Sequence, residues 1–175
     1  MTFSTGFCIL MALMILIVPL PWLTAMAAAA AFHELCHYLA IRLLAGGHTD
    51  VRFYSYGARM DLPEMSPARE VLCALAGPIG GLFLVCLVKI LPRLALAALV
   101  QSVYNLLPIY PLDGGRAFSC LLRNLLSPPK AAQIQGVVAA VCKIVIFLFA
   151  IYACIWMKWG VYPLVGVLLI WIRTK

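Results

Sequence analysis

Long apolar runs separated by short polar segments dominate the pattern of this chain. Most of the runs approach the roughly 20 residues that a helix needs to cross the hydrocarbon core of a bilayer. The pattern predicts an all-α polytopic membrane protein, a single domain with about six transmembrane helices. The predicted spans are residues 3–20, 22–44, 71–92, 94–112, 136–157 and 159–172.

The loop at residues 48–62 departs from the helical pattern. Apolar and polar residues alternate in VRFYSYGARMDL on both sides of Gly57. Period-two alternation around a central glycine is typical of a β-hairpin. We therefore expect a short β-hairpin between the second and third spans, with an irregular loop as the alternative.

Composition and charge agree with a membrane protein. Hydrophobic residues make up 65% of the chain and charged residues 11%, against roughly 25% charged residues in soluble domains. Most Lys and Arg residues fall on one side of the predicted spans, which places both termini in the cytoplasm. The net charge of +7 therefore reflects topology, and without a clustered basic stripe it does not indicate nucleic-acid binding.

The seven cysteines are scattered singly, without a C-x-x-C pair. Their odd number and mostly intramembrane positions argue against a disulfide framework and against a structural zinc knuckle. We interpret most of them as small buried apolar residues.

Glycine and proline residues indicate two segments in which the helical backbone should be unusual. In LCALAGPIGGLFL, three glycines and Pro78 fall within the third span, where small residues let neighbouring helices approach closely. In YNLLPIYPLDGGRAF, Pro108 and Pro111 each remove an amide donor, so the fourth span should break there. Broken backbone at membrane depth is tolerated where it is buried in protein or lines a wet cavity, so a functional cavity is expected near Asp113.

The motif HELCH, residues 33–37, carries the strongest chemical signal. On a helix, His33 and His37 project from one face and can bind one metal ion, and Glu34 is placed to reach a metal-bound water. An ionisable group at the bilayer centre costs from about 2.5 kcal/mol upward unless it is paired or wetted. The alternative is a metal-free network of these three side chains that packs helices.

Asp113 is the favoured candidate for a third metal ligand. A catalytic zinc ion commonly takes three protein ligands and keeps one position for water. Asp113 ends a span on the same side as the motif, whereas the other candidates lie in or beside the loop after the second span: His48, Asp50, Asp61, Glu64 and Glu70. The alternative role for Asp113 is to cap the helix that follows it.

With HELCH followed by AGP and NLLPIYPLDGG, the chain resembles the site-2 protease family of intramembrane zinc metalloproteases. The resemblance implies that His33, His37 and Asp113 bind Zn²⁺ and that Glu34 is the general base. It also implies that the hairpin receives substrate as an added strand. Asn105 opens the family's N-x-x-P-x-x-P-x-D-G pattern, and it either binds substrate or the oxyanion or packs inside the broken helix.

The resemblance also bears on partners and location. We expect a membrane-embedded or membrane-associated protein substrate in the bilayer, a regulatory membrane protein as a possible partner, and no nucleic acid. Without a PDZ or CBS domain, the chain looks closest to the PDZ-lacking branch that includes the stage IV sporulation protein FB. That branch implies the bacterial inner membrane, an active site toward the cytoplasm and a sigma-factor precursor as substrate.

Two other functions compete with proteolysis. Intramembrane His and Asp residues also occur in metal transporters, although transport sites usually lie within repeats and no repeat is visible in this sequence. The second alternative is a catalytically inactive membrane scaffold, against which the intact Glu34 argues.

Overall fold

We describe the protein from a computed structural model, covering residues 2–3, 18–45, 51–54, 57–60 and 65–156, with 164, 167, 168 and 171. The predicted spans 3–20 and 159–172 lie almost entirely outside the described residues. The chain divides into two compact units, Met1–Leu106 and Leu107–Lys175, and each is described by itself.

In the first unit, helix α1 comprises Leu20–Ala45 and contains the whole predicted segment 22–44. Its central run of alanines favours the helix, since alanine has the best intrinsic helix propensity. Arg42 lies in the last turn, where a cation stabilises the helix dipole. Its Nη1 donates a hydrogen bond of 3.1 Å to the hydroxyl of Tyr38.

Three short strands form a sheet in the first unit. They are β1, Thr2–Phe3, β2, Val51–Tyr54, and β3, Gly57–Met60. Strand β1 pairs in parallel with β2, and β2 pairs antiparallel with β3 in a register that places Val51 opposite Met60. The order is β1-β2-β3, so β3 lies at one edge of this sheet.

Helix α2, Pro67–Leu84, continues as a 3-10 turn at Val85–Leu87. Ser66 precedes it in an extended conformation, and Pro67 occupies the first turn, where its missing amide costs no hydrogen bond. Pro78 lies inside the helix without ending it. The buried residues are mostly small, which allows neighbouring helices to approach: Cys73, Ala74, Gly77, Pro78, Gly80 and Gly81.

Helix α3, Pro92–Asn105, is shorter than the span predicted at residues 94–112. At about 1.5 Å per residue, its 14 residues reach about 21 Å, less than the hydrocarbon core. The helix ends because the segment after Asn105 contains Pro108 and Pro111, which cannot donate to the helical ladder. The expected break is therefore present, but it comes before the prolines rather than at Leu112.

In the second unit, α4 comprises Asp113–Leu125 and α5 comprises Pro128–Ile155. Pro128 lies in the first turn of α5, so this helix begins well before the predicted start at residue 136. The polar start of α5 is tied to α4 because Gln135 Nε2 donates a 3.2 Å hydrogen bond to the carbonyl of Gly115.

Within the described residues, two helices are long and apolar enough to cross a membrane, Pro67–Leu87 and Pro128–Ile155. Only 11% of the most apolar window of α5 is buried in the protein, and large side chains such as Phe149 and Leu148 are exposed. An exposed apolar surface on a helix of this length agrees with a membrane-spanning helix. Helix α1 is not one of the two, because its polar residues interrupt the apolar run.

Candidate metal centre

The two histidines of α1 form a buried pair in the first unit. His33 is 3% exposed and His37 is 8% exposed. Their Nε2 atoms lie 3.1 Å apart, and their rings meet edge to face with centroids separated by 4.7 Å. The spacing of four residues therefore brings two imidazole nitrogens to one point on the helix surface, as the sequence predicts.

A backbone carbonyl fixes the orientation of His37. Its Nδ1 lies 2.7 Å from the carbonyl oxygen of Cys73 on α2. Because a carbonyl oxygen can only accept, Nδ1 carries the proton and donates. In the neutral ring, Nε2 then presents a lone pair, the form in which histidine binds a metal. A hydrogen bond from the other ring nitrogen to a carbonyl commonly orients a metal-binding histidine in this way.

The space beside the two Nε2 atoms is kept open by Gly77 of α2. A Cβ atom built on Gly77 would lie 2.8 Å from Nε2 of His33, 2.6 Å from Cδ2 of His37 and still closer to Nε2 of His37. The absence of a side chain therefore leaves a volume bounded by two ligand nitrogens.

This donor pair fits a zinc ion. Two nitrogens bound to zinc at about 2.0–2.1 Å in a tetrahedral arrangement stand about 3.3 Å apart. The observed separation of 3.1 Å is close to that value. His33 and His37 can thus hold one ion without rearrangement of α1.

Glu34 follows His33 on α1 and is half-buried. Asn105 is the last residue of α3 and is 7% exposed. Its neighbour along the same buried stripe, Ser102, packs its Oγ against Gly81 of α2. Since the short connection 88–91 reverses the chain between α2 and α3, Asn105 lies about one turn beyond Ser102 in the direction of Gly77. The carboxamide of Asn105 is therefore carried toward the level of the histidine pair.

Asp113 belongs to the second unit and is the first residue of α4. The N-cap position is held by Leu112, so the interpretation of Asp113 as the N-cap is wrong. An acid in the first turn is stabilised by the helix dipole. The preceding loop includes a cis peptide bond at Tyr110–Pro111.

The start of α4 packs closely on that loop. A Cβ atom on Gly115 would lie 2.5 Å from the backbone nitrogen of Tyr110, so only glycine fits at this contact. Ile109 and Leu112 are almost completely buried. The backbone that carries Asp113 is therefore held by packing on both sides of it.

Three structural features in and near the site escaped the sequence reasoning. The carbonyl oxygen of Cys73 could not be identified from the sequence, because every residue at that position has the same backbone oxygen. The open space at Gly77 belongs to a glycine cluster that the sequence associates only with helix packing. Ser102 is 1% exposed, and its Oγ has no hydrogen-bond partner within the described part of the chain; the stripe that it shares with Ala98 and Asn105 was the available signal.

No protein-family model and no curated protein sequence matches this chain. Among solved structures, it is similar to a site-2 protease from Methanocaldococcus jannaschii, with a TM-score of 0.70 and 16% sequence identity. The similarity covers 98% of this chain and 87% of that structure. The chain has the site-2 protease fold. This confirms the fold that the resemblance in HELCH, AGP and NLLPIYPLDGG implies.

Within the site-2 protease fold, the described elements account for the histidine pair and its support. Helix α1 supplies His33, Glu34 and His37, and α2 supplies the carbonyl of Cys73 and the space at Gly77. Each of His33, His37 and Asp113 can offer one ligand atom to a metal ion. The two long apolar helices agree with a membrane protein.

Proposed function

We propose that this protein is an intramembrane zinc metalloprotease that hydrolyses a peptide bond in or near a membrane-associated segment of a protein substrate. The observation that carries the proposal is the buried histidine pair, with the proton of His37 held on Nδ1 by a backbone carbonyl and Nε2 available for a metal. The site-2 protease fold supports it.

His33, His37 and Asp113 are the proposed zinc ligands. Two imidazoles and one carboxylate form a donor set suited to a catalytic zinc ion, and three protein ligands leave one position for water. Asp113 is half-buried at the start of α4, and the packing of Gly115 against Tyr110 restricts its backbone. This restriction supports Asp113 as a ligand, because a preorganised carboxylate loses little freedom on binding.

Bound zinc would act as a Lewis acid on the scissile carbonyl and lower the pKa of a coordinated water toward about 7. Glu34 is the proposed general base: it accepts a proton from the attacking water and delivers it to the leaving amine. The position of Glu34 next to His33 on α1 supports this role. No side chain forms a covalent bond with substrate in this scheme.

Two further elements are proposed to hold the substrate. The carboxamide of Asn105 has N–H donors for a substrate carbonyl or for the oxyanion, and its buried position on α3 supports this. Strand β3 lies at a sheet edge, so an unwound substrate segment can add to it as a further strand.

Zinc content gives the most direct test. We expect the purified full chain in detergent to hold about one zinc per protein, the Asp113→Ala variant to hold less, and the Glu34→Gln variant to keep its zinc while losing cleavage. A folded wild type without zinc would contradict the proposal and leave the metal-free histidine network, which the 3.1 Å contact also permits.

For location and substrate, we propose the bacterial inner membrane, with both termini and the active site toward the cytoplasm and an inactive sigma-factor precursor as substrate. The excess of Lys and Arg on one side of the predicted spans supports the orientation. Co-expression of such a precursor with wild type and with Glu34→Gln tests the substrate. The absence of a product that depends on Glu34 would argue against this branch, and a cysteine at position 113 that reacts only with external reagents would contradict the orientation.

A further inference from the structure

The three glycines of α2 meet three different neighbours. A Cβ atom on Gly80 would collide with Sγ of Cys36 and lie 2.9 Å from its Cβ, on α1. A Cβ atom on Gly81 would collide with Oγ of Ser102, on α3. At Gly77, the three nearest atoms all belong to the imidazole rings of the histidine pair.

The neighbours of Gly77 differ in kind from the other two. Gly80 and Gly81 let helices approach, and their contacts are ordinary packing between small residues. The contacts of Gly77 include both Nε2 atoms, one at 2.8 Å and the other closer. Zinc binds imidazole nitrogen at about 2.0–2.1 Å, so a methyl group at this position and a metal ion on the histidines would compete for the same volume.

We propose that Gly77 keeps open the space in which the metal binds, so that any side chain at position 77 excludes the ion although every ligand remains. Gly77 is thus a positioning residue: because it has no Cβ atom, the volume beside the two imidazoles stays free. The inference rests on the proposed zinc site and adds to it a residue that contributes no ligand.

The competing explanation is that Gly77 only permits close packing of α1 on α2, as Gly80 does. The two explanations predict different thermodynamics. A methyl group in the metal volume weakens zinc binding and removes the stabilisation that zinc provides, in addition to any strain that it causes in the metal-free protein. Wedging two helices apart destabilises the metal-free protein and the zinc-loaded protein alike.

The test uses three glycine-to-alanine variants of the full chain in detergent micelles: Gly77→Ala, Gly80→Ala and Gly136→Ala. Zinc affinity is measured by competition with a chromophoric chelator, and the melting temperature is measured with and without zinc. Gly136 is the matched inert position, because a Cβ atom there meets nothing within 4 Å. Gly80→Ala reports helix wedging one turn from Gly77.

We expect Gly77→Ala to weaken zinc binding by at least about 10- to 100-fold, the range seen when support of a metal ligand is lost, and to abolish the rise in melting temperature that zinc causes in wild type. Gly80→Ala should lower both melting temperatures and keep that rise. Gly136→Ala should match wild type in affinity.

Wild-type zinc affinity in Gly77→Ala would overturn the inference, as would an equal loss of affinity in Gly80→Ala. A wild type that binds no zinc would instead overturn the proposed function, so the two failures are distinguishable.

If Gly77→Ala does not fold, the triple variant Gly77→Ala/His33→Ala/His37→Ala decides the question. Removing both imidazoles removes the three atoms nearest to the new methyl group, so this variant should be as stable as His33→Ala/His37→Ala. A triple variant less stable than that reference would show that the methyl group collides with something other than the imidazoles, which would overturn the inference.

Discussion

Helices α2 and α5 are both long and apolar enough to cross a membrane, yet they differ in what surrounds them. One third of the most apolar window of α2 is buried in the protein, at 33%, against 11% for α5. Helix α2 buries glycines, a proline and small residues, whereas α5 exposes large aliphatic and aromatic side chains.

The contrast teaches that apolar character alone does not show which helix supports the chemistry. Large side chains on α5 are exposed, and in a membrane-spanning helix such side chains would contact lipid and tolerate exchange for one another. Small residues on α2 give other helices and the histidine pair access to its backbone, and each added carbon there meets a specific atom. Five predictions break or sharpen this contrast.

Loss of the proposed general base should have the largest effect. Glu34→Gln keeps the size of the side chain but cannot accept the proton of the attacking water, so the cleavage rate should fall by about 10²–10⁴-fold with zinc content unchanged. Glu70→Gln, at the start of α2, makes the same chemical change and is the matched control, since it should retain activity. Full activity of Glu34→Gln in a substrate-cleavage assay would contradict the role of Glu34.

Filling a glycine position on the buried helix should have the next largest effect. Gly80→Ala collides with Cys36 and should lower the free energy of unfolding by about 1–3 kcal/mol, the usual cost of overpacking. Gly136→Ala, in open space on α5, should raise it by about 0.5–1 kcal/mol, because alanine loses less backbone entropy than glycine. Denaturant titration in mixed micelles measures both.

The collision at Gly80 can be checked by a double variant. Cys36→Ala removes the Sγ atom, so it should recover part of the stability lost in Gly80→Ala, with a coupling energy of about 0.5–3 kcal/mol. Strict additivity of the two changes would show that the sulfur atom is not what the new methyl group meets.

A smaller and opposite effect is expected at Ser102. Its buried hydroxyl has no hydrogen-bond partner within the described residues, and burying such a group costs about 1–3 kcal/mol on scales from protein mutations. Ser102→Ala should therefore leave stability unchanged or raise it by up to about 1 kcal/mol. A clear loss of stability in the same denaturant titration would mean that the hydroxyl makes a stabilising interaction.

The smallest effect is expected on the exposed surface of α5. Leu148 is 59% exposed on α5, and Leu148→Ala should change the free energy of unfolding by no more than about 0.5 kcal/mol, because the side chain meets lipid in the folded and the unfolded state alike. A loss as large as that of Gly80→Ala would show that another part of the protein covers this face.

Sequence reasoning located two helices of the first unit well. Helix α1 contains the whole predicted segment 22–44, and the predicted segment 71–92 overlaps α2 and its 3-10 turn. Helix α5 begins at Pro128, before the predicted span 136–157, because Lys130, Gln133 and Gln135 end the apolar run without ending the helix. Hydropathy indicates the part of a helix that fits the hydrocarbon core of a membrane, not the full length of the helix.

The predicted fourth span was too long for a related reason. Residues 106–112 are apolar enough to extend the run, but two prolines prevent a helix there. The histidine pair followed directly from the period of the helix. Its support did not, because a carbonyl at Cys73 and a missing side chain at Gly77 are properties of the backbone.

The hydrogen bond from His37 to Cys73 has a consequence for mutational scanning. Because the acceptor is the peptide oxygen, any small residue at position 73 can present it, and a scan would score this position as tolerant although it orients a ligand. Chemical protein synthesis can expose the dependence: an ester bond in place of the peptide bond between residues 73 and 74 weakens that oxygen as an acceptor while leaving the side chain unchanged. The group that orients His37 therefore belongs to the main chain, and a substitution of the Cys73 side chain does not remove it.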